Sequence, residues 1–286
     1  MLIVSAVVLL GVLGAVLALA LELPPWGGVG VAAAVGGVLS LVAWHEGSSI
    51  VLGAAGAQEV GKTEDPELVN VVEEMAIAAG LPRPRIYVIP DDSMNAFAAG
   101  MRPDKAVVAV TRGLRRSLGR DELQGVVAHE MAHIGNYDTR VMVLMAVLVG
   151  SVAILSDYFL RSMRYRGRSR GGGKGQGILL LVAVVLAILA PILAVLIQFA
   201  VSRKREFLAD ATGAALTRNP GALADALQKL GGQPRGGALA NRGTQHLFIV
   251  NPFRARQAAS SAFATHPPLE ERIRRLRRLA GQYATA

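Results

Sequence analysis

Residues 121–140 read DELQGVVAHEMAHIGNYDTR, and the run HEMAH within them decides how the rest of the chain is read. Side chains four apart on a helix lie one above the other on the same face. His129 and His133 can therefore present two imidazole nitrogens to a single metal ion. Glu130 stands beside that pair, where a carboxylate can take a proton from water at the metal. The local sequence supports a helix. Asp121 followed three residues later by Gln124 reads as an N-cap with its capping-box partner, and Leu123, Val126, Val127 and Ala128 give the helix a face to bury. Two helical histidines alone are also compatible with packed or solvated side chains, so the reading turns on the remainder of the chain.

Of the 286 residues, 52% are apolar and only 18% charged, with a mean hydropathy of +0.41. Those are not the values of an ordinary soluble domain, and membrane spans are the expected reason. The chain has no cysteine, which excludes a disulfide framework and thiolate ligation, so any metal must be held by histidine and carboxylate. The net charge of +9 is unevenly spread: residues 45–140 carry 10 basic and 14 acidic side chains, residues 161–176 carry 6 basic and none acidic, and residues 202–286 carry 14 basic and 5 acidic. With 5% aromatic residues, basic segments beside apolar ones fit anionic lipid head groups better than nucleic acid.

Four regions follow. Residues 1–44 hold two apolar stretches, 1–21 and 26–44, each long enough to cross a bilayer. The first competes with a cleaved signal peptide, because Ala18-Leu19-Ala20 resembles a cleavage site, but it lacks a basic n-region. Trp26 and Trp44 bracket the second like interfacial anchors. Residues 45–140 read as a soluble catalytic part. It has a helix from Pro66 to Ala79 capped by Asp65, and strands at Arg85–Pro90 and Lys105–Thr111 with Met94–Gly100 between them. An edge strand there could pair with an extended peptide. Residues 141–201 form an apolar hairpin, transmembrane or re-entrant. Its segments are 141–160, continuing straight from the HEMAH helix, and 178–201, joined by the basic loop 161–176. Residues 202–286 return to polar sequence, with a helix at 219–230 and a basic C-terminal helix. In that last helix Leu269, Ile273 and Leu276 share one face, and Arg272, Arg274, Arg275, Arg277 and Arg278 cover the others.

A hairpin over 141–201 brings both of its ends to one membrane face. The helix opening with SRKREFLAD, residues 202–210, then lies beside the HEMAH helix. Glu206 and Asp210 are four apart on one face of it, with small Ala209 between. Arg203, Lys204 and Arg205 read as an interfacial charge cluster.

HEMAHIxNYDT, an apolar hairpin, SRxREFxAD and THPPLEERI, in that order and preceded by two apolar stretches and NAFAxG, resemble the HtpX-type membrane zinc metallopeptidases, relatives of the CaaX prenyl endopeptidases. The likeness covers nearly the whole chain. It implies an α-helical multi-pass membrane protein with a small α+β zincin-like (gluzincin) catalytic domain and one zinc ion per chain. His129, His133 and Glu206 match the ligands, Glu130 the general base, and Asp210 the acidic residue that orients a ligating histidine. It also implies polypeptide substrates and a role in membrane-protein quality control and stress response. It places the catalytic part on the cytoplasmic side of the inner membrane. Charge does not set that orientation, since Lys and Arg near the spans tie at six on each side. His266 is a candidate oxyanion donor or a plain helix-start histidine. Asn95, Ala96, Phe97 and Ala98 line the substrate cleft or form an ordinary strand. His45 and His246 are read as structural. A maturation protease for lipidated peptides, an intramembrane protease and a non-catalytic scaffold or chaperone remain as competing readings. The intramembrane one is disfavoured by the polar residues around HEMAH.

Overall fold

The computed structural model describes residues 24–147, 203–232, 247–249 and 267–284, together with Ala15 and Ala18. The expectations for the first apolar stretch 1–21 apart from Ala15 and Ala18, for residues 148–160 of the third, for the loop 161–176, for the segment 178–201, and for His246 and His266 lie outside the described residues.

Helix α1 runs from Pro25 to Ala54, so it continues past Trp44, where the sequence suggests an end. At about 1.5 Å per residue it is near 45 Å long, well beyond the roughly 30 Å hydrocarbon core of a bilayer. Its two halves differ accordingly. Val31, Val35, Val38 and Leu41 are exposed, whereas Val51 and Leu52 are buried against the sheet. It is the one helix among the described residues long and apolar enough to cross a membrane.

The sheet has the order β1-β2-β4-β3, built from β1 (Gln58–Glu59), β2 (Arg85–Ile89), β4 (Val107–Thr111) and β3 (Ala96–Ala99). β2 and β4 are parallel, and the outer strands pair antiparallel to them. The stretch 94–100 thus contributes a strand, and it lies at the edge. Alternation along each strand sends side chains to opposite faces. Ile86, Val108, Val110, Ala96 and Ala98 join one apolar cluster. Tyr87, Ile89, Val107, Ala109, Phe97 and Ala99 join a second, shared with Val51 and Leu52 of α1 and Met142, Val143 and Ala146. With both faces covered, β4 is buried throughout, which is why its sequence is apolar without alternation.

Helix α2 (Pro66–Ala79) starts as read from the sequence: the Asp65 carboxylate accepts from the Leu68 N–H at 3.1 Å. A short α3 (Arg112–Ser117) leads into α4 (Arg120–Gly135), which carries HEMAH. Its cap departs from expectation. Gly119 is the N-cap, and Glu122 reaches back to accept from the Gly119 N–H at 2.8 Å. Asp121 therefore sits inside the first turn, where its charge still favours the positive helix end. The far end departs too. The chain does not continue straight into the third apolar segment, because Tyr137 adopts φ +58° and a new helical segment begins at 138, still helical at 147, the last described residue there.

Helices α5 (Arg203–Thr217), α6 (Pro220–Gly232) and α7 (Leu269–Ala284) complete the fold. α4 lies at its centre, between the sheet, α2, α5 and α6. Gly213 permits the close crossing of α5 over α4, since a Cβ there would stand 3.0 Å from the His129 backbone nitrogen. Replacing Gly213 with valine should cost about 1–3 kcal/mol through overpacking. It would be measured as a lower thermal midpoint of the detergent-solubilised protein, with alanine costing less. An unchanged midpoint for the valine variant would contradict this crossing.

Candidate metal centre

Helical spacing alone turns His129 and His133 to one face of α4. Their Nε2 atoms lie 3.2 Å apart with the rings near perpendicular, at 86°. Two nitrogens bound tetrahedrally at about 2.0–2.1 Å would be separated by roughly 3.3–3.4 Å, so the pair already has the spacing of two ligands to one small cation. Glu206 comes from the first turn of α5. Its Oε1 is 3.6 Å from His133 Nε2 and its Oε2 3.9 Å from His129 Nε2. All three residues are buried, and one ligand atom from each lies within 4.8 Å of the others. Two imidazoles and a carboxylate are borderline donors suited to zinc, and they leave a fourth position for water or substrate.

Behind each imidazole stands a carboxylate. Asp210, one turn beyond Glu206, lies 3.1 Å from His129 Nδ1, so the Glu206–Asp210 spacing read from the sequence does bring both to the histidines. Asp138 lies 3.0 Å from His133 Nδ1. The sequence alone does not single out Asp138, because only the left-handed turn at Tyr137 folds it back onto α4. It also misplaces two arginines. Arg272, grouped there with a solvated or lipid-facing set, is fully buried. Its Nε and Nη2 donate to the two oxygens of Asp210 at 2.8 and 2.7 Å, and Nη1 lies 3.3 Å from Glu206. Arg205, read as part of a surface cluster, donates to Asp138 at 3.0 Å. The remaining arginines of α7 are exposed, as expected. The signal that could have marked Arg272 is its place one turn before buried Leu276, on the apolar face of α7.

Glu130 is buried on the same helix. Burial raises its pKa to about 7, helped by the Glu206 charge and opposed by His133 and by a hydrogen bond from the Ala98 backbone. Burial pushes His129 down to about 4 against the pull of Asp210, with Arg272 adding to the depression. It is a neutral imidazole that donates from Nδ1 and keeps the Nε2 lone pair. For His133 burial also works downward, but Asp138, Glu206 and Glu130 outweigh it and the pKa rises. Burial would raise Asp210, yet the Arg272 charge and the His129 hydrogen bond hold it at about 2. When all are ionised, the four carboxylates Glu130, Asp138, Glu206 and Asp210 face two guanidiniums, Arg205 and Arg272. Among the described residues the carboxylates at the site thus outnumber the guanidiniums by two. The upward shift of His133 expresses that excess of negative charge, whereas that of Glu130 comes first from burial.

The edge strand β3 flanks this site. Asn95 is turned inward: its N–H donates to Thr111 Oγ1 at 2.8 Å, and its side-chain oxygen accepts from the Ala96 N–H. Phe97 points to the far face of the sheet, edge-on to Phe248 at 5.3 Å between centroids. It does not face Glu130. The main chain of β3 is partly engaged already: the Ala98 N–H is directed to Glu130, and the Ala96 carbonyl accepts from the Ile249 N–H at 3.0 Å.

Comparison with known proteins gives a consistent result. The profile described as Peptidase family M48 matches residues 62–280. Proteins named Protease HtpX homolog are similar over most of the chain. The one from Dictyoglomus turgidum is 48% identical over 84% of this chain and 78% of its own length. That from Pyrococcus furiosus is 45% identical over 89% and 87%, and that from Streptococcus gordonii 39% identical over 97% and 95%. Among solved structures, the crystal structure of S. mikatae Ste24p superposes with a TM-score of 0.50 at 19% identity. The match covers 84% of this chain and 56% of that one, a likeness of fold.

Removing the Arg272 charge would strand Asp210 and Glu206 in the interior. Arg272→Met should therefore destabilise the metal-free protein by about 3–5 kcal/mol, measured by denaturant unfolding in detergent. A loss under about 1 kcal/mol, the range of an exposed pair, would show that these ions are not sealed from water.

Proposed function

The chain belongs to peptidase family M48 and is a metalloprotease related to the HtpX homologs, and from that premise we propose that it is a membrane-bound zinc endopeptidase acting on membrane or membrane-associated polypeptides. The observation that carries the reading is the convergence of His129, His133 and Glu206 with Glu130 next to the first ligand. These three residues would hold one zinc ion, and the ion would supply Lewis acidity that polarises a peptide carbonyl and makes nearby water more acidic.

The residues of the chain do the rest. The Glu130 carboxylate takes the proton of the attacking water as the carbon–oxygen bond forms, then delivers it to the leaving amine as the peptide bond breaks. In the metal-free chain burial raises its pKa to about 7, toward the range in which a carboxyl group both takes up and returns a proton. Asp210 accepts from His129 Nδ1–H and keeps the Nε2 lone pair directed at the ion. An extended substrate pairs with the main chain along β3, which requires it to take the place of the Ile249 N–H at the Ala96 carbonyl. His266 is the proposed donor to the oxyanion.

The apolar outward face of α1 supports attachment to a bilayer, which large exposed aliphatic patches on a helix of this length otherwise leave unexplained. We assign the hairpin 141–201 to the same membrane, with the catalytic part on the cytoplasmic side of the inner membrane and a role in membrane-protein quality control. Purified parent protein is expected to hold about one zinc, as a single three-ligand site requires, and to cleave casein. Glu130→Gln should keep the zinc and lose cleavage by a factor of at least about 100. Glu206→Ala should lose the metal. A parent without zinc, or a Glu130→Gln variant cleaving at the parental rate, would be fatal to the proposal.

A further inference from the structure

His129 has Asp210 behind its Nδ1, and Asp210 is gripped in turn by Arg272. His133 has a matching arrangement drawn from different parts of the chain. Asp138 Oδ2 lies 3.0 Å from His133 Nδ1, and Asp138 Oδ1 accepts from Arg205 Nη1 at 3.0 Å. Asp138 is 4% exposed. We propose that Asp138 is a positioning residue for His133, and that Arg205 is the tether holding it in place. The inference rests on the zinc reading above and adds a residue to it.

The chemistry follows from the two nitrogens of an imidazole. A neutral ring carries one proton, and a metal ligand must keep the other nitrogen bare. With the Nδ1–H directed to Asp138, the lone pair is on Nε2, the atom that faces His129 Nε2 and Glu206. Without an acceptor at Nδ1 the proton can sit on either nitrogen and the ring is freer to turn. A carboxylate also raises the basicity of the ring it accepts from, which strengthens its bond to a cation.

Asp138 owes its place to the local backbone. α4 ends at Gly135, and the left-handed Tyr137 at φ +58° reverses the chain so that the next residue looks back along the helix. Thr139 Oγ1 then donates to the Gly100 carbonyl at 2.8 Å, and Arg140 Nε donates to the Met101 carbonyl. Both acceptors lie just past the end of β3, so the turn is fastened to the edge strand. Arg205 adds an anchor on the other side, one residue before Glu206 on α5. Asp138 and Arg205 flank residues 141–201 in the chain. Their ion pair therefore joins the two flanks of that region beside His133.

The test uses the full-length chain with Glu130→Gln as background, so that no proteolysis intervenes. Zinc affinity is read by chelator competition and ligand geometry by the visible spectrum of the cobalt(II) form, with the thermal midpoint of the metal-free protein recorded alongside. Asp138→Ala should weaken zinc by about 10–100-fold, the usual effect of removing such a partner, and change the cobalt bands. Asp138→Asn keeps a neutral acceptor and should lose less, with a spectrum closer to the parent. Arg205→Gln should weaken zinc less than Asp138→Ala. Parental affinity and an unchanged cobalt spectrum in Asp138→Ala would overturn the inference. Should that variant not fold, the same result in Asp138→Asn would overturn it, and weakened binding with altered bands would uphold it. A background protein that takes up no zinc at all would instead sink the zinc reading, and this inference with it.

Discussion

The metal centre depends on how closely α5 can lie on α4. Their crossing puts Gly213 against the backbone of His129, with no room for a side chain between them. Glu206 reaches the site from the first turn of α5, so the approach of the two helices sets how near its oxygens stand to both imidazoles. The crossing is thus a constraint on ligand geometry before it is a contribution to stability. It also explains why residues so far apart in the chain form one site: apolar packing sets the approach of the helices, and the polar groups occupy positions that packing has fixed.

Once the helices are in place, the difficulty is charge. Four carboxylates in a dry interior are costly, and burial alone would protonate them. Arginine suits the role of counter-ion here for a geometric reason. Its planar fork can hold both oxygens of Asp210 and still present a third N–H toward Glu206, which the compact ammonium of lysine cannot. The positive charge supplied remains short of the negative, and that imbalance predisposes the cavity to a divalent cation. The pKa of His133 reports it, raised by Asp138, Glu206 and Glu130 against the effect of burial, while burial itself favours a proton on Glu130 near neutral pH. Metal and base are coupled through one electrostatic field, so neither can be adjusted without the other.

How much of this could be read from the chain depended on the range of the interaction concerned. His129, Glu130 and His133 were legible because helical periodicity is local and three residues carry it. The Asp65 cap and the cores of β2 and β4 were legible for the same reason. Glu206 and Asp210 needed the hairpin and the family resemblance, since no short-range pattern relates them to α4. Asp138 was hidden by one backbone angle, as a helix continued through Tyr137 would have turned it elsewhere. Arg272 was hidden by composition. Among five arginines within seven residues, only its place on the face shared with Leu276 sets it apart, and a charged residue there is easily read as solvated. The Asp121 cap was misread because Asp121 and Glu122 both suit a first turn, and the extended backbone at Gly119 decided between them.

The sheet relates this centre to the proposed membrane. One face of β2, β4 and β3 carries the α4 side of the core, and the other is covered by the end of α1 and by residues 142–146. Those two helical segments touch closely, since a Cβ on Gly47 would meet the Val143 side chain. They are also the segments that lead toward the apolar sequence on either side. The catalytic helix and the membrane-directed helices are therefore separated by little more than the sheet, a distance on the order of 10–20 Å for layers packed about 10 Å apart. A substrate strand added to β3 extends that same sheet. It would lie alongside the layer that touches the membrane-directed helices, so polypeptide emerging from the bilayer would have only a short unfolded stretch to cross before reaching Glu130. On the proposed reading, that geometry would favour membrane-associated chains over freely diffusing ones.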